Sequence, residues 1–312
     1  MSTSKIVTYM LGIVGKSTFN EKSIKYLFTN NINEFEAVYF RLPPKKGIPY
    51  GRYHICILSQ SGCAQGCKFC STGYMGFFSN LTSEEMLGQI DLIREDIIKK
   101  CIETLERPFS SVIMGMGEPL TNVKNVIEFC YKANKNYRNL EKIAISTVGV
   151  SPNITKLANI EIDIRKIHLF CSIHSPYDNQ RTEIMPINSR YNIDSVLSAC
   201  KEYSTLTSNK VTVSYLLFKD YNDSIEHAHD LAALLDPNYF DVQLLLFNDT
   251  DGNNFKRPND ERGYIFEKAM RDKGIDAYVR ISEGRDVNGG CGQLISRTYP
   301  RRNCNQSVMT NN

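Results

Sequence analysis

The stretch HICILSQSGCAQGCKFCSTG, residues 54–73, sets a short apolar run directly before a loop that holds Cys63, Cys67 and Cys70. The run predicts a strand over 54–59. A strand that ends in chemistry-bearing residues is the arrangement of barrel enzymes, whose sites lie at strand C-termini. The rest of the chain repeats the unit. Further strands are expected at 110–114, 142–147, 167–173, 210–217, 240–247 and 276–281, and helices at 82–105, 122–136, 152–159, 193–206, 223–235 and 259–273. Thr82 and Glu85 have the Thr-x-x-Glu spacing of a capping box, which sharpens the start of the first long helix. Strands alternating with helices imply parallel strands joined by helical crossovers. The expected fold class is therefore α/β, an open or partial (β/α) barrel over residues 51–297. A doubly wound sheet is the competing solution.

Residues 1–50 read differently. SIKYLFTNNINEFEAVYFRLPP, residues 23–44, suggests one helix or strand followed by a β segment, and LPPKKGIPYG, residues 42–51, a turn. The segment is too short for a core of its own and is expected to pack on the barrel as an extension. Residues 298–312 form a polar tail.

Hydrophobic residues make up 42% and charged residues 23% of the 312, the balance of a chain with a real core. No apolar run reaches the 18 residues of a membrane span, so no membrane association is expected. The apolar stretch near the N-terminus is interrupted by Thr8, Tyr9 and Gly12 and lacks a small-residue cleavage site, unlike a signal peptide. The chain is read as cytoplasmic. Its ten cysteines are then expected to be mostly reduced, and clustered ones point to metal or catalysis before structural disulfides. A net charge of +3 is too small to argue for nucleic acid. Lys45 and Lys46, and Arg297, Arg301 and Arg302, read as solvated surface.

Three thiols in one loop call for explanation. Structural zinc sites close with four ligands, often as two Cys-x-x-Cys pairs, and there is no second pair here. A four-iron cluster held by three cysteines keeps one iron open. That iron can chelate the amino and carboxylate groups of S-adenosylmethionine, which the reduced cluster can cleave to a 5′-deoxyadenosyl radical. Zinc with Cys56 or His54 as fourth ligand, and unligated thiols, are the alternatives. A second motif agrees. VIMGMGEPL, residues 112–120, runs a strand into a turn where Gly115 and Gly117 let backbone approach a ligand.

These residues resemble the radical-SAM RNA adenosine methyltransferases of the RlmN/Cfr family. The resemblance runs from about Glu36 to Leu294. It includes the cysteine loop, GMGEP, ISTVGVSP at 145–152, CSIHSPYDNQRTEIMPINSRYNI at 171–193, NDSIEHAHDLAALL at 222–235 and CGQL at 291–294. KFCSTG, HSPY and MPINSRY are closer in wording to the Cfr side. The resemblance implies a partial barrel of the radical-SAM type, one [4Fe-4S] cluster on Cys63, Cys67 and Cys70, and S-adenosyl-L-methionine. It places Gly117, Glu118, Ser146, Ser172, Ile173, His174 and Asn248 at the cofactor.

It also implies two working cysteines. Adenine carbons 2 and 8 are not nucleophilic and cannot attack an electrophilic methyl group directly. Cys291 would take a methyl group first, by displacement. Hydrogen abstraction from that methyl group would leave a carbon radical that adds to the ring. Cys56 would then attack the sulfur of Cys291 and release product as a disulfide forms. Glu36 matches the glutamate proposed to take the ring proton. Of the other cysteines, Cys101, Cys130, Cys171 and Cys200 fall on expected helices or strands and read as small buried hydrophobes. Cys304 lies in the tail.

Three features depart from the family pattern. Only about 35 residues precede Glu36, so a compact N-terminal helical domain linked to RNA handling is expected to be shortened or absent. Gly289 and Gly290 replace an Ala-Ala pair before Cys291. NDTDGNNFKRPND, residues 248–260, replaces a proline-containing loop. The leading expectation is methylation of an adenosine in 23S rRNA, or of an equivalent tRNA base. Methylation at carbon 8 would be expected to confer antibiotic resistance. A radical enzyme of a small molecule or peptide, and a non-enzymatic metal-binding regulator, are the alternatives. An electron donor such as flavodoxin or ferredoxin and a monomeric state complete the expectations.

Overall fold

The computed structural model describes residues 11–20, 23–42, 51–160, 167–249 and 254–280. Four strands precede the cysteine loop: β1 (Gly12–Asn20), β2 (Ser23–Thr29), β3 (Glu34–Leu42) and β4 (Arg52–Ile57). Each pairs antiparallel with the next, with Leu27 opposite Glu36 and Val38 opposite Cys56. The expected helix or strand near the N-terminus is thus strand throughout its described length. Its strands continue the parallel sheet edge to edge.

Beyond β4 the chain follows the expected alternation. A short hairpin, β5 (Gln60–Gly62) and β6 (Phe77–Asn80), brackets the cysteine loop and the five-residue helix α1 (Ser71–Met75). Then come α2 (Ser83–Lys99), β7 (Phe109–Ile113), α3 (Val123–Asn136), β8 (Leu140–Thr147), α4 (Ser151–Ala158) and β9 (Ile167–Ser172). After α5 (Asp178–Ile184) and α6 (Ile193–Thr207) follow β10 (Val211–Leu217), α7 (Ile225–Leu234), β11 (Phe240–Leu246), α8 (Asp260–Asp272) and β12 (Ala277–Arg280). The sheet order is β1-β2-β3-β4-β7-β8-β9-β10-β11-β12, and every neighbour pair from β4 onward is parallel. Among the described residues the sheet is open, with β1 and β12 at its edges.

The α2 start is capped as the spacing predicts: Glu85 N donates to Thr82 Oγ1 at 3.1 Å and Thr82 N donates to Glu85 Oε2 at 2.8 Å. Such a cap stabilises a helix by about 1 kcal/mol. The helix ends at Lys99, short of the expected 105. Cys101 takes a left-handed φ of 56°, its N–H donates to Ile98 O, and Ile102 N–H donates to Ile97 O, the pattern of a Schellman stop. Cys101 is therefore exposed and outside the helix, a correction to its reading as a buried hydrophobe. Cys130, Cys171 and Cys200 are buried as expected.

The sheet has two chemically distinct faces, because successive side chains alternate. One carries Tyr53, Phe109, Leu169, Tyr215 and Val279. Helices pack there, with the Tyr215 and Phe266 rings 5.2 Å apart. The other face carries Lys25, Glu36, Cys56, Lys142, Ser172 and Gln243, in register across the strands. A parallel sheet covered by helices on both sides would be apolar on both. This one is largely apolar on the helix side, while its inner face mixes these polar residues with apolar ones such as Val112, Ala144, Phe170 and Leu216.

Candidate active site

The cysteine loop is held at its base. Cys63 N donates to Gly76 O at 2.8 Å, where Gly62 and Gly76 take φ values of 74° and 78°. A Cβ on Gly62 would lie 2.0 Å from Gly76 O, so the hairpin closes only around glycine. Within the loop Cys70 N donates to Cys67 O and Gly73 N to Cys70 O. Its far side rests on α5, through Lys68 N to Ile184 O at 3.0 Å. Cys67 and Phe69 are buried against Ile184, Met185, Leu216 and Phe218. Burial pushes the Cys63 thiol up to about 12 and raises Cys67 well above the ordinary thiol value. Thiolates there need a bound cation to compensate, so metal loading must release protons. Among the described residues no three His, Cys, Asp or Glu side chains are arranged to hold a single metal ion. A four-iron cube takes its ligands on separate corners, and three thiols in one loop suit it.

Since β4 and β7 to β12 are parallel, their C-terminal ends share one edge of the sheet. The cysteine loop, Gly117 and Glu118 after β7, Ser146 and Thr147 closing β8, Ser172 to His174 after β9, and Asn248 after β11 all stand there. Glu118 ties two of these ends together. Its Oε1 accepts from Leu120 N at 2.9 Å and Thr147 Oγ1 at 2.6 Å, and its Oε2 accepts from Val148 N at 2.8 Å. Burial nevertheless pushes this carboxyl up to about 7, against the three hydrogen bonds that favour its charge. Its backbone N–H donates to Gln60 Oε1 at 2.8 Å.

Gly117 has a φ of 98°, and a Cβ would meet Gln60 Cβ at 2.6 Å. Gly117→Ala is expected to destabilise the fold by about 2 kcal/mol, from left-handed strain and overpacking together. Gly66→Ala, at φ 64° with open space around its Cβ, should cost only about 1 kcal/mol. Urea midpoints compare them, and equal midpoints would refute the crowding.

His174 also has a left-handed φ, of 59°. Its Nδ1 accepts from Leu216 N at 3.0 Å, and its carbonyl accepts from Asn222 Nδ2. Burial, with the nearby Arg181 charge, pushes the imidazole down to about 3. The ring is neutral, with its hydrogen on Nε2, a donor and never an acceptor there.

The inner face brings the other predicted groups together. Lys25, Val38 and Cys56 form one row across β2, β3 and β4, with Glu36 two residues along β3 on the same face. Neighbouring strands lie about 4.8 Å apart, so Cys56 and Glu36 stand within about 10 Å. Glu36 and Lys25 form an ion pair of 3.1 Å with both side chains almost wholly buried.

The Radical SAM superfamily profile matches residues 57–232. The chain is 38% identical over 290 residues to the dual-specificity RNA methyltransferase RlmN of Campylobacter jejuni, over 88% of this chain and 78% of that one. It is 38% identical over 246 residues to the probable dual-specificity RNA methyltransferase RlmN of Clostridioides difficile, over 78% and 69%. The crystal structure of a radical SAM methyltransferase from Sphaerobacter thermophilus superposes with a TM-score of 0.83 at 34% identity, covering 91% of this chain and 81% of that one. The chain belongs to the RlmN/Cfr family of radical-SAM methyltransferases.

For a member of this family the donor set fits an iron–sulfur cluster: three thiols in one loop at the strand edge, each without a disulfide. Cys291 lies outside the described residues, as do Lys45, Lys46, Arg297, Arg301, Arg302 and Cys304. Sequence reasoning missed three contributors. Gln60 supports both Glu118 and Gly117, and it donates to Asn80 Oδ1 and Thr121 Oγ1. Lys25 pairs with Glu36 from a segment read as an extension. Arg181, wholly buried, was hidden inside a motif read for its histidine. Only an apolar context around a charged residue could have signalled Lys25, within SIKYLF.

Proposed function

We propose that this chain methylates an sp² carbon of adenosine in RNA, at carbon 8 or carbon 2, with 23S rRNA as the expected target. The observation that supports it most is the row on the inner face, where the Cys56 thiol and the buried Glu36 carboxylate share one wall under the cysteine loop. Cofactor cleavage needs neither group. A relay that ends in thiol attack and ring deprotonation needs both.

In this reading Cys63, Cys67 and Cys70 hold a [4Fe-4S] cluster, and Gly117, Glu118, Ser146, Ser172, Ile173, His174 and Asn248 hold S-adenosylmethionine. Cluster and cofactor together supply a methyl group and a carbon-centred radical. The chain does the rest. Cys291 Sγ carries the methyl group to the ring. Glu36, oriented by Lys25 Nζ at 3.1 Å, accepts the ring proton. Once the ring adduct has given back the one electron that the low-potential donor supplied, and Glu36 has taken its proton, the Cys56 thiolate attacks Cys291 Sγ. The S–S bond forms, and the electron pair of the broken S–C bond stays on the methylene carbon, which takes a proton to become the product methyl group. A thiol reductant returns both cysteines to thiols. The neutral His174 donates through Nε2 without competing for the ring proton. A one-electron donor of the flavodoxin or ferredoxin class feeds the cluster. An RNA substrate must present its base unstacked.

The test is nucleoside mass spectrometry on rRNA and tRNA from cells with this protein, without it, and with Cys291→Ala. A methyladenosine that disappears with Cys291→Ala is the expected result, and retention time separates carbon 8 from carbon 2. A cofactor-cleaving protein that yields no new nucleoside would move the substrate to a small molecule or peptide.

A further inference from the structure

Strand β9 ends at Ser172, and just past it Ile173 N donates to Ser214 O of β10 at 3.1 Å. Backbone groups along a strand face its two neighbours alternately. Leu217 O faces β11, where it accepts from Phe247 N, so Leu216 is the next residue of β10 to face β9. No strand is left there to pair with it. His174 takes its left-handed φ of 59°, which residues other than glycine seldom adopt, and the extended backbone stops. Buried backbone groups must still find partners. Two side chains supply them. Leu216 N donates to His174 Nδ1 at 3.0 Å, and Leu216 O accepts from Asn222 Nδ2 at 2.7 Å.

The same amide closes the arrangement. Asn222 Nδ2 also donates to the His174 carbonyl at 2.8 Å, and Asn222 Oδ1 accepts from Phe218 N at 2.7 Å. Asn222 has no exposed surface, and Tyr215 Oη donates to its carbonyl at 2.9 Å. Both amide hydrogens and the amide oxygen are thus engaged away from water. The reverse orientation would set Oδ1 against two carbonyl oxygens, so the amide has one way to sit. His174 is fixed in turn. Its Nδ1 is an acceptor, so the ring hydrogen is on Nε2, across the ring from β10. The Phe69 ring of the cysteine loop meets the imidazole edge-on, with centroids 5.1 Å apart. Asn222 opens the segment NDSIEHAHDLAALL, residues 222–235. Its place at the junction of β9 and β10 gives that residue a task.

We propose that Asn222 is a positioning residue for cofactor binding: its amide holds the left-handed turn of His174 and so fixes the imidazole with Nε2–H as the donor it offers at the end of β9. Asn222 acts through His174. The inference rests on the reading that His174 meets S-adenosylmethionine.

The experiment reads the imidazole by nitrogen-15 NMR of the purified full chain, with the His174 signals assigned by their loss in His174→Ala. Equilibrium binding of S-adenosylmethionine to the cluster-reconstituted chain is measured alongside. The wild type is expected to hold His174 as the single Nε2–H tautomer. Asn222→Asp keeps the size and the acceptor for Phe218 N but, ionised, has no N–H for the two carbonyls. Asn222→Ala removes the whole group. Both are expected to show two tautomers and to bind S-adenosylmethionine about 10-fold more weakly, the worth of a hydrogen bond. Tyr215→Phe removes a hydrogen bond from the same network and leaves the amide, so it should keep the wild-type tautomer and affinity. In a His174→Ala background, Asn222→Ala should weaken binding no further. The wild-type tautomer or the wild-type affinity in the folded Asn222 variants overturns the proposal, as does a tautomer mixture in the wild type. Equal losses in Tyr215→Phe would assign the effect to packing, and a further loss in the His174→Ala background would assign it to another contact. Either outcome overturns it. If neither Asn222 variant folds, the wild-type amide decides: slow exchange of both Nδ2 hydrogens with water supports the proposal, and fast exchange overturns it. A wild type that binds no S-adenosylmethionine, whatever its tautomer, overturns the cofactor reading and this inference with it.

Discussion

Cys56→Ala is expected to stop turnover while leaving the protein joined to its RNA. In the proposed relay the ring becomes bonded to the methyl carbon carried on Cys291. Attack by Cys56 on that sulfur is the step that frees the product. Without the thiol, chemistry proceeds to the adduct and halts. Multiple turnover should fall by at least on the order of 10³-fold, the scale of losing a nucleophile. Denaturing gels should show a protein–RNA adduct that nuclease shrinks and Cys291→Ala abolishes. The fold should survive, since Cys56 is a small side chain buried on the wall of a sheet whose register is set by its neighbours. Turnover at the wild-type rate, or inactivity with no adduct, would remove Cys56 from the relay.

Glu118 carries the second large effect, through pH. Burial raises its carboxyl from the ordinary 4.5 to about 7 in the fold. A group whose folded value is raised contributes stability that is full below 4.5 and is lost as pH rises through about 7. Over that window the ligand-free protein should lose roughly 3 kcal/mol, at 1.36 kcal/mol per unit. Binding runs the other way. If Glu118 meets the ammonium of S-adenosylmethionine, the carboxylate is the competent form, and affinity rises with pH until about 7 and then levels. Binding below pH 7 should release a proton, visible as a buffer-dependent heat in calorimetry. Glu118→Gln should weaken binding by about 10- to 100-fold, the worth of a charge-assisted hydrogen bond, and flatten both profiles. A Gln variant that keeps the pH dependence would assign it to another group.

Much of the architecture was legible because strand and helix periodicities are local. The seven parallel strands fall within a few residues of their sequence positions, since each is a β-branched or aliphatic run between turn residues. The Thr82 cap was readable for the same reason. The Lys99 stop was not, because the left-handed residue is Cys101 and not glycine, the usual signal. Residues 12–42 were ambiguous in isolation. Their strands are stabilised by pairing with one another and with β4, a non-local contact.

The sequence alone determined the groups on offer: three thiols in one loop, a glycine turn after a strand, and a family resemblance over most of the chain. These are facts of composition and spacing, which the chain carries before it folds. Only the tertiary structure decided which groups share a wall. Antiparallel register set Lys25, Glu36 and Cys56 on one face, and parallel register brought five strand ends to one edge. Only burial decided the electrostatics, raising Glu118, keeping His174 neutral and enclosing the Arg181 cation. Register and burial depend on partners far along the chain, and no local pattern encodes them.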